Sequence, residues 1–275
     1  MHLKTYAIPP AGLPPQTART VDRAVFKTAY AVIPSRNMSD IVTSRLPRWD
    51  NTRAWILARP MTGFAETFAE YSVEVAAGGG SDDPEPESGA EAVLFALHGV
   101  LTLSLDGNDH VLAPGGYAFI GPESTWALHN VSGQPANFQW IRKKYEYLDG
   151  IPAPHSFVTS DGEVAPQPMP DCNEVWATTL FVDSGDMSHD MHVTIVTLQP
   201  GAVIPFSETH VMEHGLYVLQ GKAVYQLDED WVEVEAGDFV WLRAFCPQAC
   251  YTGGPGPFRY LLYKDVNRHP ALTLR

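Results

Sequence analysis

One unit is written twice in this chain. Leu94-Phe-Ala-Leu-His-Gly99 lies over Leu216-Tyr-Val-Leu-Gln-Gly221, and the same offset carries Leu105-Asp106 onto Leu227-Asp228 and Gly115 onto Gly237 without a gap. A repeat that keeps its register through apolar runs and turn residues alike means two copies of one design. In the second copy the run Leu216 to Leu219, then Gly221, then Val224 to Asp228, then Gly237 leading into Phe239 to Leu242, reads as short strands punctuated by glycine turns. Each copy is therefore expected to be an all-β barrel. The chain divides into an extended arm over 1–22, rich in Pro and Thr, a first copy over 23–160 and a second over 161–275, with linker composition from 144 to about 172. An arm of this kind is expected to pack on a neighbouring subunit. Residues 67–75 alternate as a half-buried strand, and 78–89, made of turn and acidic residues, reads as a mobile loop.

The chemistry concentrates in the second copy. Glu208 and His210 are two apart in a strand-like segment, so their side chains leave the same face, and His214 follows after room for the strand to bend. A carboxylate and two imidazoles form a hard-to-intermediate donor set without thiolate, which suits a divalent cation; these ligands alone leave Mn²⁺, Fe²⁺, Ni²⁺ and Zn²⁺ open. In the last strand, Lys264 shares a face with Leu262, Tyr260 and Phe258 by alternation, and Tyr225 is also expected to face the barrel interior. An interior lysine requires a counter-charge.

These residues carry a resemblance. A cupin motif reads Gly, five residues, His-x-His, three or four residues, Glu, six residues, Gly. Here Gly201, six residues, Glu208-x-His210, three residues, His214, six residues, Gly221 resembles it, with the first His and the Glu exchanged. The second cupin motif places its histidine eleven residues after a glycine; eleven from Gly237 is Gln248. The permuted quartet, Glu213-His-Gly-x-Tyr-x-Leu-x-Gly221, Tyr225-x-Leu-Asp228 and Tyr263-Lys-Asp-x-Asn-Arg268 is similar to the (S)-ureidoglycine aminohydrolases, manganese bicupins of purine-ureide breakdown. The resemblance implies a bicupin of two tandem double-stranded β-helix (jelly-roll) barrels. It also implies one Mn²⁺ per chain on Glu208, His210, His214 and Gln248, and hydrolysis of (S)-ureidoglycine to (S)-ureidoglycolate and ammonia. Lys264 and Tyr225 would hold the small anionic ureide, and Glu208 would carry the proton to ammonia. Under the repeat, the positions opposite the quartet are Pro86, Ser88, Ala92 and Trp126, so the first barrel is expected to be metal-free.

Other features bound the answer. With 18 basic and 32 acidic residues the net charge is −14, which excludes nucleic acid and anionic membranes as natural partners. The N-terminus has no apolar leader, no run of about 18 apolar residues occurs, and three cysteines lack zinc spacing, so a cytoplasmic protein with free thiols is expected. Cys246 and Cys250 flank Gln248 and read as buried cavity thiols; a homo-oligomer is expected from the class. His189 and His192, three apart, would face opposite sides of a strand and read as solvent-facing polar residues, and His129 as a hydrogen-bonded core or rim residue. Two other functions fit a bicupin: a metal-dependent dioxygenase or isomerase acting on a small oxo acid, and a non-catalytic small-molecule binder, against which the intact quartet argues.

Overall fold

The computed structural model describes residues 5–13, 23–170, 175–270 and 272. Among them the regular elements are β-strands and two short 3₁₀ turns, Ser35–Asn37 and Asp40–Val42. Among the described residues no helix is long and apolar enough to cross a membrane. The molecule is a bicupin. The first barrel is one sheet in the order Phe157–Ser160, Gly116–Ile120, Ala90–His98, Ala136–Lys144, Ala69–Ser81, Trp126–His129, Leu101–Leu105 and Asn108–Leu112, with Asp50–Ala58 along Ala69–Ser81. The second has a large sheet whose central strands are Phe239–Leu242, His214–Gln220, Phe258–Asp265 and Met191–Leu198. Its small sheet runs Val203–Glu208, Gln248–Thr252, Lys222–Leu227, Asp230–Glu235.

The repeat is visible strand by strand at an offset of 122 residues, Leu94 to Leu216. Its turns recur as well. Asp106 and Asp228 have φ of +49° and +56°, and Gly99 and Gly221 of +72° and +79°. Gly221 has a second reason to be glycine: a Cβ there would stand 2.4 Å from the Pro257 carbonyl oxygen, as one at Gly99 would stand 2.7 Å from that of Pro135.

Alternation along the strands separates three cores. In Phe258–Asp265, Phe258, Tyr260 and Leu262 point into the second barrel, whereas Leu261 and Tyr263 enter a core shared with Phe68, Phe95 and Phe119 of the first half. The two large sheets thus pack back to back over apolar side chains, and the barrel interiors remain separate.

Three expectations change. Tyr30–Ile33, placed by the division of the chain in the first copy, pairs with Phe239–Leu242 of the second barrel and buries Tyr30 and Val32 in its core. Phe157–Ser160 pairs with Gly116–Ile120 of the first. Each edge strand covers backbone groups that would otherwise be open. The described part of the arm, 5–13, packs on its own chain: the Ala7 amide donates to the Leu219 carbonyl at 3.2 Å, and Tyr6 joins Asp161, to which the Arg259 Nη2 donates at 2.9 Å. Residues 1–4 and 14–22 of the arm lie outside the described residues. Finally, the 78–89 segment begins as strand, through Ser81, and is tied down further on where the Arg142 Nε donates to Glu85 at 2.7 Å.

Candidate metal and substrate site

The mouth of the second barrel gathers the candidate residues from four strands and one loop. Glu208 ends Val203–Glu208 and is the direct cross-strand partner of Gln248, so both side chains leave the same face. His214 opens the next strand and pairs with Lys264. His210 lies in the loop between, held by the Phe245 amide donating to its carbonyl at 2.6 Å. Its Nε2 is 3.4 Å from Glu208 Oε1, and its ring centroid is 5.0 Å from that of His214.

The Glu213-His214-Gly215 triplet does three things at consecutive positions. The Glu213 carboxylate reaches across to the first half and accepts from the amides of Glu66 (2.8 Å) and Thr67 (2.9 Å), the Thr67 hydroxyl (2.6 Å) and the Trp241 indole (2.6 Å). Gly215 lets Phe68 close on the backbone, since a Cβ would stand 2.5 Å from the ring. Between them, His214 turns into the barrel. Its Nδ1–H donates to the Met212 carbonyl at 3.1 Å, which leaves Nε2 as a lone-pair donor, buried and without a hydrogen bond. Burial, then Lys264 and His210 beside it, hold its pKa well below the ordinary histidine value, so the ring is neutral. A neutral, tautomer-fixed imidazole with an unused Nε2 is a ready ligand for a divalent ion. Among the described residues no three His, Cys, Asp or Glu side chains are drawn together as a closed cage. His210 approaches both of its neighbours, and Gln248 supplies the amide opposite Glu208. The donors present fit a divalent transition-metal cation.

Lys264 faces the interior with Leu262, Tyr260 and Phe258, as alternation predicts. Burial lowers its pKa, and the Glu208 carboxylate raises it. Tyr225 is fully buried one layer deeper. Its ring lies 6.4 Å from that of Tyr260, and its hydroxyl faces Cys250 and Tyr260 without a hydrogen bond of ordinary geometry. Tyr260, whose phenol lies within the field of Glu208, also lines this cavity. Its inward alternation with Lys264 was the signal that could have raised it to candidate status. Cys246 and Cys250 are free and buried, their thiols pushed up to about 11 and about 12 by burial, so both stay protonated beside the site.

The first barrel is closed at the same level. Ala92 and Trp126, opposite His214 and Gln248, are buried with Trp49 and Trp140, whose rings lie 6.4 and 5.6 Å from that of Trp126; Pro86 and Ser88 are exposed. Arg142, opposite Lys264, is engaged by Glu85. His129 is a rim residue, its Nε2 3.0 Å from Asp82.

His189 and His192 depart from the surface reading. His189 is buried, with its ring 4.8 Å from that of Phe119, and His192 pairs with Lys264 on the barrel's inner face. His189 lies in the turn before the strand Met191–Leu198, so strand spacing does not govern the pair; the sheets on either side bury His189 and half-bury His192.

Comparison with known proteins agrees with this architecture. The model of the cupin domain family matches residues 194–263. The (S)-ureidoglycine aminohydrolase of Escherichia coli (strain K12) is 30% identical over 229 residues, 83% of this chain and 86% of that one. That of Arabidopsis thaliana is 30% identical over 250 residues, 90% and 79%. A crystal structure of a Pseudomonas aeruginosa protein described as glyoxylate-induced superposes with a TM-score of 0.92 at 61% identity, covering 98% of this chain and 99% of that one. With such identity over most of its length, and with a second barrel built to this pattern, the chain belongs to the (S)-ureidoglycine aminohydrolase family of cupins.

Proposed function

We propose that the second barrel hydrolyses (S)-ureidoglycine to (S)-ureidoglycolate and ammonia, with one divalent cation, manganese by family resemblance, held by Glu208, His210, His214 and Gln248. The observation that carries this reading is the asymmetry of the two barrels. One presents an unused buried imidazole nitrogen, a carboxylate and an interior lysine at its mouth; the other has Pro86, Ser88, Ala92 and Trp126 opposite the quartet, with Trp126 packed against Trp49 and Trp140.

The substrate carbon bears an amino group, a ureido nitrogen and a carboxylate. Loss of ammonia followed by addition of water replaces C–N by C–O, and the overall balance is one water consumed for one ammonia released. The ion, when bound, anchors and polarises the substrate and so fixes the face that water attacks. Lys264 pairs its ammonium with the substrate carboxylate in a site screened from water, where such a contact is strong. Glu208 delivers a proton to the departing nitrogen and recovers it from the attacking water. Gln248, neutral, leaves the site less negative than a second carboxylate would. We take the protein to act in the cytoplasm, where buried free thiols such as Cys246 and Cys250 persist, and as a homo-oligomer.

The test is ammonia release from freshly prepared ureidoglycine together with elemental analysis. The expected result is ammonia release with one ion per chain, both lost in the His210→Ala/His214→Ala double variant. Oxygen uptake, or no ammonia from metal-loaded protein, would overturn the reading in favour of another bicupin chemistry.

A further inference from the structure

His192, Lys264 and His214 stand side by side across the large sheet of the second barrel. Lys264 is the direct partner of His192 on one flank and of His214 on the other, and directly paired residues present their side chains on the same face. That face is the interior. Val196 and Leu198, Tyr260 and Leu262, and Leu216 and Val218, which follow in step along the three strands, form the inner core. Neighbouring strands lie about 4.8 Å apart, so His192 stands on the order of 10 Å from His214, with Lys264 midway.

The reaction proposed above makes no use of His192, yet its environment is that of a binding group. Its Nε2 is buried and makes no hydrogen bond. A buried polar atom left in this way costs stability unless a ligand satisfies it. Burial, then His189 and Lys264 beside it, push its pKa down to about 4, which keeps the ring neutral. Asp183 and Asp186 oppose that shift without reversing it.

We infer that His192 is the residue that recognises the uncharged end of the substrate, its imidazole hydrogen-bonding the ureido group of a molecule held between Lys264 and the Glu208–His210–His214–Gln248 quartet. The inference rests on the function proposed above and deepens it. A substrate anchored at the quartet with its carboxylate on Lys264 extends its remaining substituent toward the far flank of the row. A ureido group offers both N–H donors and a carbonyl acceptor, so it satisfies a neutral ring whichever tautomer is present. An apolar substituent would leave Nε2 stranded, and sites built on such hydrogen bonds reject ligands that lack the matching group.

The experiment measures direct binding to the metal-loaded protein by calorimetry. The probes are N-carbamoylglycine, which has the ureido and carboxylate groups but no amino group to lose, and glycolate, which has the carboxylate and a hydroxyl in place of the ureido group. Wild type, His192→Ala, His192→Gln and Lys264→Met are compared. His192→Ala is expected to weaken N-carbamoylglycine about 3- to 10-fold and leave glycolate unchanged. His192→Gln, whose amide reaches about as far as Nε2, is expected to restore most of that loss, and Lys264→Met to weaken both probes; metal content stays at the wild-type level in the His192 variants. Equal binding of N-carbamoylglycine by His192→Ala and wild type, a parallel loss of both probes, or no binding of N-carbamoylglycine to wild type would overturn the inference. Ammonia release by the wild type tests the underlying reaction separately: a chain that binds the ureido group through His192 but releases no ammonia would refute the reaction and leave this contact standing.

Discussion

Replacing Lys264 by methionine removes the charge and keeps much of the stem, so it separates the ammonium's work from the packing of its chain. Lys264 lies on the central strand of the site, flanked by His192 and His214, both held neutral, and the nearby counter-charge is Glu208. A charge-assisted hydrogen bond to a substrate carboxylate is worth about 1.5 to 3 kcal/mol, hence roughly a 10- to 150-fold loss in kcat/KM. The carboxylate is present in substrate and transition state alike, so most of the loss should fall on KM. Stability should move the other way. Burial lowers the pKa of Lys264 in the folded chain, so above that lowered value the unfolded chain binds the extra proton. Wild-type stability then rises with pH between the folded value and the ordinary lysine value, and the variant lacks that rise. At neutral pH the variant should melt at or above the wild-type temperature. Ammonia-release kinetics, metal analysis and melting curves between neutral and alkaline pH check all three points. Wild-type kcat/KM, or a melting point several degrees lower with loss of metal, would refute the reasoning by making Lys264 a rim residue or a structural one.

Gln248→Leu should lower metal occupancy, whereas Gln248→His should retain the ion, bind it more tightly and impair turnover; a Leu variant with full metal and normal rate would remove Gln248 from the site. Glu70 is buried with neither carboxylate oxygen hydrogen-bonded, and burial raises its pKa from 4.5 to about 8. A folded value above the unfolded one means stability that is complete below pH 4.5 and is lost as pH rises toward about 8, at about 1.4 kcal/mol per pH unit. Glu70→Gln should therefore flatten the fall in melting temperature from pH 5 to 8; parallel curves for variant and wild type would count against it. Glu213→Ala strands four donors, including the Trp241 indole, and should cost about 3 kcal/mol or more, read as a lower melting temperature and weaker metal retention. An unchanged melt would show the clamp to be redundant.

Much of this molecule is written locally. The constant offset between Gly99 and Gly221 announced two barrels because both turns need a left-handed residue under a close carbonyl, a demand that a short stretch of sequence meets by itself. The inward face of Phe258 to Lys264 followed from period-two alternation, and Glu208, His210, His214 and Gln248 were singled out through the resemblance to the two cupin motifs. The structure added that Glu208 and Gln248 are direct cross-strand partners and that the Nδ1 contact of His214 frees its Nε2. What local pattern left undecided was which strand each edge accepts and what lies across it. Nothing in Tyr30 to Ile33 says that it joins a strand more than 200 residues away, and nothing in His189-x-x-His192 says that one ring meets Phe119 and the other meets Lys264. Alternation records which side chains share a face, because the backbone geometry of a strand sets it. Which faces meet is decided by long-range pairing and by the burial that pairing creates, and only the assembled sheets contain that information.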